Sequence, residues 1–342
     1  MARSWKQAIL IFHPGSGRAN RLSQAIQKLT DSLCQNNWRI TLRTLALDPK
    51  EMLDDELFSA DLIIAAGGDG TVRTVLEAVT RAGLQTPVAI IPIGTGNLLA
   101  RSLGLVTANE SNRVRHAVDT ILNGKATCID LGKANGHYFT VDAGIGPLAE
   151  AIAAPSPNEK RRWKLLSYVW PLWKAVRCEP VHLKITSDCG IFERSARGLL
   201  ITNAIDMGIG QGVDVHQMCD GTLDLCILNP QTYSDLIEIG LRFANWFFLG
   251  RASTHLPYEI LQVRSAKIEV LQTAEKGLAP SEPNQSSVRA MGSKQVPMML
   301  DGDINGLTPA LIEVVPHAVN VMIPMDVYER TICRCSSAEQ VR

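Results

Sequence analysis

The sequence predicts an α/β protein in which a parallel sheet, covered by helices on both faces, is followed by an antiparallel β-sandwich. Three observations lead there. Short apolar runs at Ala8 to Phe12, Leu62 to Ala66 and Pro87 to Ile93 alternate with stretches of helical period, the signature of buried parallel strands joined by crossover helices. These runs break off into glycine turns, at 13–17, 67–71 and 94–97. From Cys128 onward the pattern changes to short alternating runs separated by Gly, Asn and Asp, as in paired antiparallel sheets.

Taken in order, Ala8 to Phe12 forms the first strand and His13-Pro-Gly-Ser-Gly17 a turn. Leu22, Ala25, Ile26, Leu29 and Leu33 then mark one face of a helix. Trp38 to Leu47 makes a second strand, Met52 to Phe58 a short helix, and Leu62 to Ala66 a third, fully buried strand. It stops at Gly67-Gly-Asp-Gly-Thr71, where Thr71 is placed to cap a helix carrying Val72, Val75, Leu76 and Val79. Pro87 to Ile93 leads through Gly94-Thr-Gly-Asn97 into a helix over Leu98 to Leu103. Such a doubly wound, Rossmann-like arrangement gathers its loops at the carboxyl ends of the strands. Strand, glycine turn and helix together aim backbone N–H groups and a helix N-terminus at one point, which suits phosphate. Asp69 inside that turn implies more than binding, because a carboxylate repels phosphate unless a metal ion or a transferable proton stands between them.

In the second half, His182 to Thr186, Gly198 to Asn203, Gly221 to Leu228 and Lys267 to Leu271 alternate as strands. Trp163 to Val176 and Leu236 to Leu249 read as helices, and Gly277 to Pro297, rich in Ser, Pro, Gln and Gly, as a loop. The chain of 342 residues exceeds one ordinary core. Lys plus Arg equals Asp plus Glu at 34 each, which argues against nucleic-acid binding through bulk charge. The eight Cys are scattered singly and fit reduced, buried thiols. The aromatic stretch Leu241 to Leu249 is too short and too polar at its flanks to span a bilayer. The N-terminus runs straight into a strand without room for a signal peptide, so a cytoplasmic location is expected.

Gly67-Gly-Asp-Gly-Thr71 followed by Ile91-Pro-Ile-Gly-Thr-Gly-Asn-Leu-Leu-Ala-Arg101 resembles the catalytic domain of diacylglycerol kinase-type lipid kinases, which include sphingosine, ceramide and soluble bacterial lipid kinases. His13-Pro-Gly-Ser-Gly17 is similar to their first nucleotide turn, with His13 where Asn is usual. Ile129-Asp-Leu-Gly-Lys-Ala-Asn-Gly-His-Tyr-Phe139, Val141-Asp-Ala-Gly-Ile-Gly146, Asp220-Gly-Thr-Leu-Asp224 and Leu300-Asp-Gly-Asp-Ile-Asn-Gly-Leu-Thr-Pro309 resemble further landmarks in order. The resemblance implies a nucleotide-binding α/β domain over 1–126, joined by a returning segment 318–342, and a lipid- and metal-binding sandwich over 127–317.

It also implies roles. Gly67, Gly68, Asp69, Gly70, Thr71, Val72, Gly94, Thr95 and Asn97, with Ser16 and Gly17 of the first turn and Thr44 at the end of the second strand, are expected to hold the ATP phosphates. Asp220 resembles the family's Mg²⁺ ligand, with main-chain oxygens of Gln217 and Thr222 beside it. Two carboxylates compete as base for the acceptor hydroxyl: Asp303, where bacterial relatives carry an acid, and Asp69, which the sphingosine-kinase branch favours. Asp303 is preferred, with Asp69 on the metal-bound phosphates and Asp301 supporting the turn. Arg73-Thr74 replaces the usual Asn-Glu, so Arg73 stands either as a phosphate contact or as a solvated helix-face cation. Arg161-Arg-Trp-Lys164, Tyr168 to Lys174 and Asn245 to Leu249 combine cations with aromatic rings, as peripheral contact with an anionic membrane would need. The reading is an ATP- and Mg²⁺-dependent kinase of a lipid alcohol, with diacylglycerol the leading acceptor. Its rivals are an NAD kinase, which shares the Gly-Gly-Asp-Gly-Thr turn, and a non-catalytic lipid- or nucleotide-binding regulator.

Overall fold

The computed structural model describes residues 5–14, 19–46, 54–107, 112–149, 178–203, 215–230, 259–271 and 293–331, with a few positions between 232 and 238. The expected helix at Trp163 to Val176, most of that at Leu236 to Leu249, the cation-aromatic segments and most of the loop at Gly277 to Pro297 lie outside the described residues.

The first part runs β1 (Lys6–Phe12), α1 (Ala19–Gln35), β2 (Trp38–Thr44), α2 (Asp55–Ser59), β3 (Leu62–Gly67), α3 (Asp69–Arg81), β4 (Val88–Pro92), α4 (Leu98–Ser102) and α5 (Arg113–Asn123). Strands β2, β1, β3 and β4 lie in that order and pair in parallel. Strand alternation divides their side chains between two layers. Ile9, Ile11, Ile63 and Ile90 face Leu57 of α2, Val72, Val75, Leu76 and Val79 of α3 and Leu99 of α4. Leu10, Leu62, Ile64 and Ile91 face Ile26, Leu29 and Leu33 of α1 and Ala117 and Ile121 of α5. Every residue of β3 and β4 is buried, which is why their sequences read as unbroken apolar runs.

The second part adds β5 (Lys125–Ala134), β6 (His137–Phe139), β7 (Asp142–Ile145), β8 (Val181–Ser187), β9 (Gly190–Ala196), β10 (Gly198–Thr202), β11 (Leu223–Leu228), β12 (Glu259–Val263), β13 (Ser265–Leu271), β14 (Ser293–Lys294), β15 (Pro297–Leu300), β16 (Asp303–Leu307) and β17 (Ala310–Ile323). One sheet, β12-β11-β10-β7-β15-β16, packs on the β17-β13-β8-β9 end of the large sheet. Alternate residues such as Ile185, Ile268 and Ile312 from one side and Ala143, Ile201, Leu225 and Met298 from the other fill the space between. Strand β17 belongs to both parts. Its first half pairs antiparallel with β13, it runs along β5, and Val321 pairs in parallel with Val88 of β4.

Two local expectations are corrected. Thr71 does not cap α3: the helix starts at Asp69 with Gly68 as N-cap, and the buried Thr71 side chain packs over Gly67. An acid in the first turn also meets the positive end of the helix dipole. The thiols described are free, but only Cys226 is fully buried, while Cys34 and Cys189 are exposed.

Candidate functional site

From β1 the chain crosses to β2 on one side and then back over β1 to β3 on the other, so the order of the parallel sheet reverses between β1 and β3. A ligand crevice opens at the carboxyl ends of strands at such a point. The turns after β1 and β3 flank it. His13 and Pro14 of the first turn are exposed there, whereas Ser16 and Gly17 lie outside the described residues. Thr44, opposite Phe12 in register, is exposed at the end of β2 on the same edge.

The turns after β3 and β4 are built as one unit. The N–H groups of Ile93 and Gly94 donate to the Gly67 carbonyl at 3.0 and 3.2 Å. Asp69 then receives the N–H of Asn97 on Oδ2 at 2.8 Å and that of Leu98 on Oδ1 at 2.6 Å. Both carboxylate oxygens therefore hold the N-terminal end of α4. Asn97, in the left-handed region at φ 51°, donates its amide to the Gly94 carbonyl at 2.7 Å. Glycine is required where the turns touch. A Cβ on Gly94 would overlap the Gly68 Cα, and one on Gly96 would stand 2.7 Å from Asp69 Oδ2. Gly70 and Thr95 are exposed, while Thr71 and Val72 are buried under the turn.

Against this unit stands the β15–β16 hairpin, turned by Asp301 and Gly302, both with positive φ, as a tight Asp-Gly hairpin requires. The Asp301 side chain is 1% exposed. It accepts N–H bonds from Thr140, Val141 and Asp142, the shortest 2.8 Å, and its own N–H donates to the Asp142 carbonyl. Asp303, two residues on, is exposed. Arg73 of α3 joins the two sides: Nη1 donates to the Leu300 carbonyl at 2.9 Å and Nη2 to Asp303 Oδ2 at 3.3 Å.

Three carboxyls share the buried floor. Burial pushes Asp142 up to about 8, with Asp301 and Asp69 adding to the shift. Burial also raises Asp69, against the pull of the Leu98 N–H, and raises Asp301, against its backbone donors. Asp142 therefore carries its proton at neutral pH, and its Oδ1 has no partner among the described residues. No role for Asp142 is legible in the sequence, although an acid inside the buried run Val141 to Ile145 is a signal for one.

Asp220 belongs to a separate set of contacts. Its Oδ1 accepts the Thr222 N–H at 2.9 Å and hydroxyl at 2.8 Å. The next residue, Gly221, donates to the fully buried Asp130 at 2.7 Å, and Asp130 also receives the His317 N–H at 2.7 Å. Gln217 is exposed in the single 3-10 turn Val215–Cys219 before it. Among the described residues no three His, Cys, Asp or Glu are grouped to hold a metal.

A glycine-rich crevice at a switch point, faced by a hairpin from an antiparallel sandwich, makes the chain an α/β protein whose candidate site lies at the sheet's carboxyl edge. Residues 7–134 match the diacylglycerol kinase catalytic domain. A diacylglycerol kinase of Bacillus subtilis is 31% identical over 241 residues, covering 68% of this chain and 77% of that protein. One from Staphylococcus epidermidis is 24% identical over 96% of this chain and 95% of its own. A diacylglycerol kinase structure from Bacillus anthracis superposes with a TM-score of 0.66 at 21% identity, over 94% of this chain and 99% of that one, and so shares the fold. The chain belongs to the diacylglycerol kinase family. It is a kinase-type phosphotransferase of the lipid-kinase class. Among the described residues no helix is long and apolar enough to cross a membrane.

Proposed function

We propose that this protein transfers the γ-phosphate of ATP to the hydroxyl of a lipid alcohol, with diacylglycerol as acceptor and phosphatidic acid as product. The observation that carries the reading is the double tie at the switch point. Asp69 locks two glycine turns together, and Arg73 joins their helix to the hairpin bearing Asp303.

In this reading the backbone N–H groups of the Gly67 to Thr71 turn, with Thr95 and the turn after β1, hold the ATP phosphates. Thr44 reaches toward the nucleotide from the end of β2. Asp69 keeps the second turn in place, each of its oxygens accepting one backbone N–H. Asp303 is the one carboxylate of the hairpin open to an acceptor. It removes the hydroxyl proton as that oxygen attacks the γ-phosphorus, and ADP departs with the bridging oxygen. The division into a nucleotide half over 1–126 with 318–342 and an acceptor half over 127–317 belongs to the same proposal.

The residues around Asp220 fit Mg²⁺. One exposed carboxylate, oriented by Thr222 and backed by the Asp130-held turn, would be joined by main-chain oxygens of Gln217 and Thr222, a hard oxygen set. Mg²⁺ bound there would supply neutralisation of phosphate charge.

Labelled ATP offered with diacylglycerol, a sphingoid base, monoacylglycerol, a polyprenol and NAD tests the proposal. Label is expected on diacylglycerol. Label on NAD alone supports the NAD kinase rival, and label on none supports a binding regulator.

A further inference from the structure

Arg73 occupies the position where the resembled pattern carries Asn, on the first turns of the helix that follows the glycine loop. A solvated helix-face arginine would leave its guanidinium in water. Here the side chain is 17% exposed and reaches a segment 227 to 230 residues further along the chain. Its contacts are of three kinds: the Leu300 carbonyl at 2.9 Å, the exposed Asp303 carboxylate at 3.3 Å, and the buried Asp301 carboxyl at 4.0 Å.

The pair with Asp303 alone would restrain little, because an exposed ion pair in water is weak. The Leu300 carbonyl changes that. A guanidinium is a rigid planar fork, so one nitrogen fixed on a backbone carbonyl fixes the direction of the other. The second nitrogen points at Asp303 Oδ2. On its far side the same hairpin is pinned through Asp301 to the N–H groups of Thr140, Val141 and Asp142. The turn is thus held between β7 and α3, and α3 is the element that begins in the glycine loop.

We propose that Arg73 is a positioning residue for Asp303, a clamp from the phosphate-loop helix that sets where the hairpin carboxylate stands relative to the donor site. This rests on the role given to Asp303 above. It replaces both readings of Arg73 left open by the sequence, phosphate contact and solvated cation, because both guanidinium nitrogens in contact are spent on the hairpin. A clamp of this kind acts on the chemical step and not on nucleotide capture, and misplacement of a reacting group by about 1 Å costs on the order of a hundredfold in rate.

The test compares wild type with Arg73→Asn and Arg73→Lys, measuring kcat and the KM for ATP on the lipid acceptor. In parallel, hydrogen–deuterium exchange is followed in the hairpin peptide 300–307. Arg73→Asn is expected to lower kcat by about ten- to a hundredfold with the ATP KM within about twofold of wild type, and to speed hairpin exchange several-fold. Arg73→Lys, keeping one point contact, should fall between. A raised ATP KM with unchanged kcat would make Arg73 a phosphate ligand and overturn the clamp, as would unchanged exchange in the hairpin. Should wild type label no acceptor, the functional reading fails, and the exchange experiment still decides whether the clamp exists.

Discussion

At the scale of single residues, the buried acids carry the strongest physical signature. Asp142 has no hydrogen-bond partner for Oδ1 among the described residues and is pushed up to about 8 by burial beside Asp301 and Asp69. Between the ordinary carboxylate value of 3.8 and about 8, the folded protein holds a proton that the unfolded chain releases. Folding stability therefore falls as pH rises through that window, at up to about 1.4 kcal/mol per pH unit for this group. Asp142→Asn removes the titration. It should raise the midpoint of thermal unfolding at pH 8 and flatten its decline between pH 5 and pH 8, read by calorimetry. An unchanged slope would show that the group does not titrate there. None of this was legible in the sequence beyond an acid in an apolar run. Asp301 meets its donors 159 to 161 positions away, and Arg73 its carbonyl 227 away. Pairings over such distances exist only once the strands have assembled.

At the scale of elements, local patterning carried further. The buried runs of β3 and β4, the stripe of α3 and the glycine turns at 67–71 and 94–97 follow from rules that act over a few residues. What those rules missed is the contact between turns. Gly68 and Gly94 approach until a Cβ on Gly94 would overlap the Gly68 Cα, and Asp69 spans both turns. The start of α3 was misplaced for the same reason, since Thr71 serves the packing against Gly67 and not the helix end. Gly94→Ala should consequently force the two turns apart, at a cost of about 1–3 kcal/mol in denaturant unfolding. ATP affinity should drop with it. A variant with wild-type stability and wild-type affinity would show that the turns do not need this approach.

At the scale of the whole molecule, the parallel sheet and the sandwich are joined by β17, which pairs with β13 and β5 and ends beside β4. A single apolar core runs from Ile9 and Val75 through Leu131 and Leu200 to Met299. This continuity brings the Asp301 to Asp303 hairpin to the helix that leaves the glycine loop. The change from parallel to antiparallel patterning near Cys128 was legible from the spacing of turns. The meeting of the two parts was not, because it depends on which strand edges pair.

In the proposed function, donor and acceptor sides meet in one cleft with Asp303 as its base. The most direct measurement is phosphoryl transfer by Asp303→Asn alongside calorimetric titration of ATP. Turnover should fall to background while ATP binds within about twofold of wild type. Turnover close to wild type in that variant would show that Asp303 is not the base.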